Sequence, residues 1–258
     1  MSVPSIAAAN QNPNVKPIRW VVTLCTYNER ENLVALVGEI RRFAQDVDVL
    51  VIDDQSPDGT GEIADEIAAS NPRVFVLHRS GKLGLGSATL AGFRWAVEHG
   101  YDWLINMDAD FSHHPRHLPE LRALTDDADV VIGSRYVAGG GIEGWGFMRH
   151  LMSHGINWYA RLLLRLPARD NSGSYRCYRV AKLNDIDFEQ VRSTGYAFQE
   201  EMLYRCQKVG CQFCETPITF ADRQKGTSKM SSLEAIQAVW DIFCVAIEKP
   251  SRMTARRG

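Results

Sequence analysis

The chain has 258 residues, of which 45% are hydrophobic and 23% charged, and its formal net charge is −2. This composition is that of an ordinary globular protein and excludes a wholly disordered chain, a collagen-like repeat and a coiled coil. Because the net charge is small, no global field recruits nucleic acid, so we expect no nucleic-acid partner and any anion site must be built locally.

The two ends of the chain differ in composition from its middle. Residues 1–17 are rich in Pro and Asn and lack the basic and apolar stretches of a signal peptide, so we expect a flexible leader. Residues 249–258 are basic and are expected to fray. No apolar run reaches the ~18 residues that span a bilayer. Residues 18–248 show no internal repeat and no linker, which predicts a single domain.

From residue 19 onward, apolar β-branched runs alternate with segments of helical periodicity. Continuously apolar strands joined by helices predict an α/β fold with an open, mostly parallel sheet flanked by helices. The predicted strands are 19–25, 48–52, 73–78, 101–107, 128–133, 174–180 and 211–220. The predicted helices are 28–44, 58–69, 86–99, 116–125, 147–166, 198–209 and 231–247, and 138–146 is predicted to be a flexible glycine-rich loop.

Polar residues follow several of these strands, where an open α/β sheet binds its ligands. They are Tyr27, Asn28 and Glu29 after the first strand, Asp53 and Asp54 after the second, and Asp108 and Asp110 after the fourth. An acid after the second strand can hold a ribose hydroxyl or a base edge. The segment GKLGLG (81–86) lacks the Lys-Ser/Thr of a P-loop and is not interpreted as one.

The Asp108-Ala109-Asp110 triplet is the strongest chemical signal. Two carboxylates one residue apart on a turn can face one hard cation, Mg²⁺ or Mn²⁺, whose shell is completed by water and substrate phosphates. Such a cation would neutralise a departing diphosphate. The alternative is a solvated acidic turn, because a lone pair of this spacing is frequent by chance.

A second group of residues is mostly cationic and suits phosphate, because Arg binds phosphate oxygens bidentately and Lys adds a point charge. Its members are Arg135, Arg149, Ser153, Arg223, Lys225 and Lys229. Taken singly, each cation could equally be an ordinary surface residue. Together with an acidic metal site, they predict a pocket for two phosphorylated substrates.

The six cysteines are expected to be reduced. Cys211 and Cys214 form a CxxC with Cys206 just upstream, which allows a zinc site. No second CxxC or HxxxH completes a ligand set, so small buried residues at a helix end and in the next strand are the favoured interpretation.

Eight segments in order along the chain resemble the dolichol-phosphate mannosyltransferase (polyprenol monophosphomannose synthase) branch of family 2 glycosyltransferases. They are TYNERENL (26–33), DDQSPDGTG (53–61), GKLGLGSA (81–88), MDADFSHHP (107–115), GSRY (133–136), DNSGSYRCYR (170–179), GYAFQEEM (195–202) and DRQKGTSKMS (222–231). The resemblance implies a GT-A fold and inverting transfer of mannose from GDP-mannose to a polyprenyl (dolichyl) phosphate, with a divalent metal.

The resemblance also implies roles for individual residues. The nucleotide-sugar site would comprise Tyr27, Glu29, Ile52, Asp54, Asp108, Ala109, Asp110, Arg223 and Lys229. The metal would be held by Asp108 and Asp110, and the lipid phosphate by Arg135, Arg149 and Ser153. The residues expected to act on the reacting groups are Asp110, Arg135 and Arg223. Cys25 and Ser112 depart from the family pattern, where Pro is frequent at the first position and some relatives carry a Gln metal ligand at the second.

A lipid acceptor requires a membrane surface, and two predicted helices, 147–166 and 231–247, are candidates to dock there. They carry Trp158, Tyr159 and Trp240, residue types favoured at bilayer interfaces. We expect a peripheral protein at the cytoplasmic face of a membrane, with a membrane-protein partner as a further means of attachment. Core packing is the alternative for both helices.

Three other functions stay open on sequence grounds. The same fold could transfer glucose or an N-acetylhexosamine from a UDP-sugar to the lipid. A sugar-1-phosphate nucleotidyltransferase would also be α/β with acidic metal ligands, but it predicts a glycine-rich turn where TYNERENL stands. A nucleotide-binding regulator without catalysis would not need both the Asp pair and the Arg set.

Overall fold

A computed structural model describes residues 16–193, 195–222 and 232–248, except for the side chains of Tyr196 and 232–236. Within these ranges the strands are β1 (Trp20–Thr26), β2 (Asp48–Asp53), β3 (Val74–His78), β4 (Trp103–Asp108), β5 (Val130–Ser134), β6 (Gly141–Glu143), β7 (Arg176–Arg179), β8 (Phe213–Pro217) and β9 (Thr219–Ala221). The helices are α1 (Arg30–Phe43), α2 (Thr60–Ser70), α3 (Leu85–Glu98), α4 (Leu118–Ala123), α5 (Phe147–Leu164), α6 (Val180–Asn184), α7 (Phe198–Lys208) and α8 (Ser232–Ile247).

The central sheet has seven strands in the order β3-β2-β1-β4-β7-β5-β8. All neighbours are parallel except β7, which runs antiparallel to both β4 and β5. The predicted single-domain α/β fold with an open, mostly parallel sheet is confirmed. β4 and β5 are not adjacent, because β7 inserts between them.

Helices cover both faces of this sheet, which explains why its strands are apolar on both sides. One buried cluster joins the sheet to α3, α5, α6, α7 and α8, through residues such as Phe93, Leu164 and Met202. The other joins the opposite face to α1, α2 and α4, through residues such as Leu36, Ala64 and Leu121. The protein is therefore a three-layer α/β/α structure.

Two sequence predictions fail in the second half of the chain. The strand predicted over 211–220 is two strands, since β8 ends at Pro217 and the Ile218 backbone N–H makes the last hydrogen bond to β5, at the Ser134 carbonyl. The chain then leaves the central sheet, and β9 pairs in parallel with β6. A glycine-rich loop without a strand was predicted at 138–146, but Gly141–Glu143 forms β6.

The cysteines near residue 210 terminate a helix. Cys206 lies at the end of α7, and the backbone N–H of Cys211 donates to the Cys206 carbonyl at 3.1 Å. Gly210 takes a positive φ of 76°, as expected where a glycine ends a helix. Within the described ranges no group of three or more His, Cys, Asp or Glu is placed to hold a metal, so the zinc alternative has no support there.

Close packing between α3 and the sheet predicts a stability difference between two helical glycines. A Cβ added at Gly92 would lie 2.7 Å from Ile52 Cδ1 and 3.3 Å from Thr23 Cγ2, whereas one at Gly38 on α1 would meet no atom within 4 Å. Both Gly→Ala substitutions gain the same helix propensity. Gly92→Ala should therefore be less stable than Gly38→Ala by about 1–3 kcal/mol of unfolding free energy in urea titrations. Equal stability of the two variants would contradict this packing.

Candidate functional site

The carboxyl ends of β1, β2, β4 and β5 meet at one edge of the sheet. The register places Asp53 beside Thr26 and Asp108 beside Cys25, so the acids that end β2 and β4 flank the end of β1. The segment that precedes β7 reaches the same edge because β7 runs in the opposite direction. Most of the residues predicted to form the site lie around this edge.

Asp108 and Asp110 lie on a tight turn that leaves β4. Phe111 adopts a positive φ of 64°, and the Ser112 backbone N–H donates to Asp110 Oδ1 at 2.9 Å. The Ser174 hydroxyl donates to Asp108 Oδ1 at 2.6 Å. Asp108 keeps about a quarter of its side chain exposed. The turn thus holds two carboxylates at the carboxyl end of β4, in the region called the crevice below.

His113 packs against this turn and was not predicted as a site residue. Its Nδ1 accepts the Asp108 backbone N–H at 3.3 Å, and its ring lies 5.1 Å from Tyr175 and 5.3 Å from Phe220 between ring centroids. Burial lowers the pKa of His113 below its usual value, so the ring is neutral and adds no positive charge beside the carboxylates. The two adjacent histidines in SHHP, directly after the acidic turn, were the sequence feature that could have marked His113 as a site residue.

The atoms at this turn fit a hard divalent cation. Asp108 and Asp110 supply carboxylate oxygens, and the buried Ser112 hydroxyl oxygen has no hydrogen-bond partner among the described residues. Oxygen donors of this kind suit Mg²⁺ or Mn²⁺, with water and phosphate oxygens completing the shell.

The predicted nucleotide residues after β1 form a turn braced by α2. Asn28 takes a positive φ of 62°, and the Glu29 backbone N–H donates to the Thr60 hydroxyl at 3.0 Å. The Lys82 ammonium lies 4.1 Å from the centroid of the half-buried Tyr27 ring. The Tyr27 ring therefore lies beside the 81–86 segment, whereas the Glu29 carboxylate accepts a hydrogen bond from the Asn32 side-chain amide at 2.8 Å.

Ile52 and Asp54, the two predicted nucleotide residues at the carboxyl end of β2, both make contacts within the protein. The Ile52 side chain is fully buried and packs against α3, so it does not reach the crevice and only its backbone could meet a nucleotide. Asp54 accepts the Leu83 and Gly84 backbone N–H groups at 3.0 Å each and pairs with the Arg79 guanidinium. Its carboxylate therefore orders the loop that starts α3.

Arg135, the first predicted lipid-phosphate residue, is held by a fully buried carboxylate. Its Nε donates to Asp170 Oδ2 at 2.7 Å, its Nη2 to Asp170 Oδ1 at 2.6 Å, and its backbone N–H to Oδ2 at 2.9 Å. Nη2 also donates to the Ser172 hydroxyl at 2.8 Å. The neighbouring guanidinium holds the pKa of Asp170 below its usual range in spite of burial.

The other two predicted lipid-phosphate residues lie on the first turns of α5. Arg149 Nη1 donates to Asp222 at 2.8 Å, and the Ser153 hydroxyl shares a 2.7 Å hydrogen bond with the Tyr136 hydroxyl. Asn157 then donates to both the Ser153 carbonyl and the Ser172 hydroxyl. These contacts connect Ser153 to Arg135, so two of the three predicted residues share one hydrogen-bonded network.

Several supporting residues were missed by sequence reasoning, and three of them come from one segment. Asp170, Ser172 and Ser174 contact Arg135 or Asp108. They stand within the DNSGSYRCYR segment, which was noted only as part of the family resemblance. Arg223, Lys225 and Lys229 lie outside the described residues, so their placement stays a prediction.

Comparison with known proteins agrees with this geometry. Residues 21–187 match the sequence profile of glycosyl transferase family 2. An undecaprenyl-phosphate mannosyltransferase of Micrococcus luteus is 47% identical over 214 residues, which cover 83% of this chain and 88% of the relative. A polyprenol monophosphomannose synthase of Mycolicibacterium smegmatis is 44% identical over 248 residues, 94% of each chain.

The chain belongs to glycosyltransferase family 2. Its fold is shared by the glucosyl-3-phosphoglycerate synthase of Mycobacterium tuberculosis, whose crystal structure contains Mn²⁺, uridine diphosphate and glucosyl-3-phosphoglycerate. The TM-score is 0.64 at 18% identity, and the alignment covers 89% of this chain and 80% of the synthase. This likeness concerns the fold and confirms the predicted GT-A type.

The glycosyltransferase also contains a buried acid behind its site. Glu200 lies in the first turn of α7, is 1% exposed, and its Oε2 has no hydrogen-bond partner among the described residues. Burial raises the pKa of Glu200 from 4.5 to about 8, although Arg176 opposes the shift. The negative charge of Asp170 raises the pKa of Glu200 further, and the positive charge of Arg135 lowers it. Glu200 is therefore protonated at neutral pH.

The buried Asp170–Arg135 pair should stabilise the fold far more than a surface pair does. Asp170→Asn leaves a buried guanidinium without its counter-charge, which should cost about 3–5 kcal/mol of unfolding free energy. The control is Asp46→Asn, which breaks the Arg122–Asp46 pair, in which Asp46 is 60% exposed, and should cost less than about 1 kcal/mol. Urea titrations measure both values. A similar loss in the two variants would contradict the role of Asp170.

The raised pKa of Glu200 predicts a pH-dependent stability. Between pH 4.5 and about 8 the folded state keeps a proton that the unfolded state has lost, so stability falls as pH rises, by up to about 1.4 kcal/mol per pH unit. Glu200→Gln mimics the protonated acid and removes this loss of stability. The unfolding free energy of the variant, relative to that of the native chain, should therefore grow from pH 5 to pH 8.

Urea titrations at both pH values measure the effect. Glu189→Gln is the control, because the Glu189 side chain is 85% exposed and its substitution should leave the pH dependence unchanged. A Glu200→Gln variant whose stability runs parallel to that of the native chain across this range would contradict a buried, protonated Glu200.

Proposed function

We propose that this glycosyltransferase moves mannose from GDP-mannose to a polyprenyl phosphate, with inversion at the anomeric carbon and release of GDP. The observation that carries the proposal is the 47% and 44% identity, over most of the chain, to two relatives named for mannosyl transfer to polyprenyl phosphate. The crevice supports it, because acidic and cationic groups lie at the same sheet edge.

In this proposal the crevice is divided between two anionic substrates. GDP-mannose lies along the ends of β1, β2 and β4, near Tyr27, Glu29, Asp54 and Ala109. The lipid phosphate lies at the beginning of α5, beside Arg135, Arg149 and Ser153. Arg223 and Lys229, which stand outside the described residues, would close over the donor. The segment 170–174 separates the two halves and contacts both.

The reaction requires little acid–base chemistry from the protein. A phosphate acceptor is already anionic at neutral pH, so it attacks the anomeric carbon without a general base. Holding two substrates in line can supply up to about 7–11 kcal/mol of the barrier reduction. Each well-placed cation that stabilises the departing diphosphate can add about 3–4 kcal/mol. Arg223 is the proposed side-chain cation at the diphosphate, and Arg135 would hold the attacking phosphate in line.

Asp108 and Asp110 would hold the divalent cation, Mg²⁺ or Mn²⁺. When bound, this cation neutralises charge that develops on the diphosphate as the glycosidic bond breaks. Ser174 and His113 orient the Asp108 backbone and carboxylate for this purpose. The neutral His113 ring leaves the negative charge of the two acids for the cation.

The lipid chain needs an apolar surface next to the phosphate site, and α5 and α8 provide one. The Tyr159 hydroxyl on α5 donates to the Val239 carbonyl on α8 at 3.3 Å, so the helices are adjacent. Their exposed apolar side chains are Phe147, Met148, Leu151, Met152, Trp158 and Leu162 on α5, and Val239, Trp240, Phe243 and Ile247 on α8.

We propose that this surface, together with the exposed Arg161 and Arg165, lies in the headgroup plane of the cytoplasmic leaflet. None of the described helices combines the length and the apolar character that a bilayer crossing requires. A membrane protein seated on the same surface is a further proposed means of attachment.

Turnover with defined substrates tests the proposed function. The purified protein with Mn²⁺ and a prenyl phosphate should transfer label from GDP-[¹⁴C]mannose into organic-soluble product, and UDP-[¹⁴C]glucose should give none. Asp110→Ala should abolish transfer with its melting temperature retained, and Asp65→Asn, at an exposed acid on α2, should transfer normally. Transfer from the UDP-sugar, or near-normal turnover by Asp110→Ala, would contradict the proposal.

Liposome flotation tests the membrane surface. Anionic liposomes should carry the protein upward, and the double substitution Trp158→Ser and Trp240→Ser should leave most of it at the bottom of the gradient, because both rings are exposed on the α5–α8 surface. Val34→Ser removes an exposed apolar side chain from α1 on the opposite layer and should float normally. Flotation that is unchanged in the double variant would place the membrane contact elsewhere.

A further inference from the structure

Trp145, in the segment between β6 and α5, lies between two of the proposed acceptor arginines. The Arg149 guanidinium carbon is 4.2 Å from the centroid of the Trp145 ring, and the Arg135 guanidinium carbon is 5.6 Å from it. Both distances are within the range of cation–π attraction, which is strongest for Trp. One indole therefore contacts both cations.

The position of Trp145 is fixed by its surroundings. Gly144 takes a positive φ of 86°, and a Cβ there would lie 2.9 Å from Asp222 Cβ, so the chain passes directly against Asp222. The Asp222 backbone N–H donates to the Glu143 carbonyl at 3.0 Å, and its carboxylate accepts Arg149. The Phe220 ring packs edge-on against Trp145 at 5.5 Å. The indole is thus held from β9 and from α5.

The indole nitrogen has an unusual environment. Trp145 Nε1 is buried and has no hydrogen-bond partner among the described residues. A buried N–H without an acceptor costs free energy, and an indole N–H can only donate. Two neighbouring guanidinium groups attract an anion to this place, and a phosphate oxygen would supply the missing acceptor.

We propose that Trp145 is a positioning residue for the acceptor phosphate, holding Arg135 and Arg149 beside each other and donating its indole N–H to the bound phosphate. The two guanidinium groups repel each other, and the negative face of the ring offsets this repulsion before the anion arrives. The inference rests on the proposed function for the identity of the acceptor. It assigns to Trp145 a role in acceptor binding and none in donor binding.

The test compares the native chain, Trp145→Phe and Trp145→Leu with a short, water-soluble prenyl phosphate, so that membrane docking does not contribute. Trp145→Leu removes the ring, and Trp145→Phe keeps a weaker ring without the N–H. We expect the KM for the prenyl phosphate to rise about tenfold in Trp145→Leu, equivalent to about 1.4 kcal/mol, and about threefold in Trp145→Phe. The KM for GDP-mannose should change less than twofold.

An unchanged acceptor KM in Trp145→Leu, or equal rises in the acceptor and donor KM, would overturn the inference. If melting curves show that Trp145→Leu is unfolded, Trp145→Phe serves as the test variant. An unchanged KM for the prenyl phosphate in Trp145→Phe would then overturn the inference. Calorimetric titration of the same prenyl phosphate separates this inference from the proposed function. If the native chain shows no turnover, the proposed function is wrong, but the role of Trp145 can still be tested. Weaker binding of the prenyl phosphate by the variants than by the native chain would then support that role, and equal affinity would overturn it.

Discussion

The buried ion pair between Asp170 and Arg135 is the constraint on which the site depends. Asp170 is fully buried and accepts both the backbone and the guanidinium of Arg135, so the arginine that would face the acceptor cannot turn away. The same carboxylate accepts the Gly173 backbone N–H at 3.0 Å, which shapes the segment that carries Ser172 and Ser174. Since Ser174 also donates to Asp108, one short segment sets the positions of the cationic and the acidic halves of the crevice.

The direction of β7 explains how this segment reaches the site. A parallel strand between β4 and β5 would bring its preceding segment to the opposite edge of the sheet, far from Asp108 and Arg135. Because β7 is antiparallel, the residues before Arg176 lie at the carboxyl ends of β4 and β5. The hydrogen bonds of Arg176 to the Asn171 and Gln199 carbonyls then join this segment to α7. Residues 170–176 are therefore placed at the site by the strand order and contact its charged groups.

Sequence patterns predicted the strands and helices well where periodicity and burial coincide, as in β1, β2 and α3. They could not predict the direction of β7, because the periodicity of a strand is the same whichever way it runs in the sheet. Pro217 was a signal that the run over 211–220 lies at a sheet edge, because proline within sheets is confined to edge strands. Asp108, Asp110 and Arg135 stood out by type and position, but the role of Asp170 depends on a contact across 35 residues. Ile52 was assigned to the nucleotide by resemblance, and only its packing against α3 shows that its side chain is buried in the core.

The central claim is that one sheet edge holds a cation-bound sugar nucleotide on one side and a lipid phosphate on the other. A crystal soaked with GDP-mannose, Mn²⁺ and a short prenyl phosphate tests it most directly. We expect an anomalous manganese peak at the Asp108 and Asp110 carboxylates, with the acceptor phosphate at the guanidinium groups of Arg135 and Arg149. A sugar nucleotide bound at another edge of the sheet, or carboxylates turned away from the manganese, would contradict it.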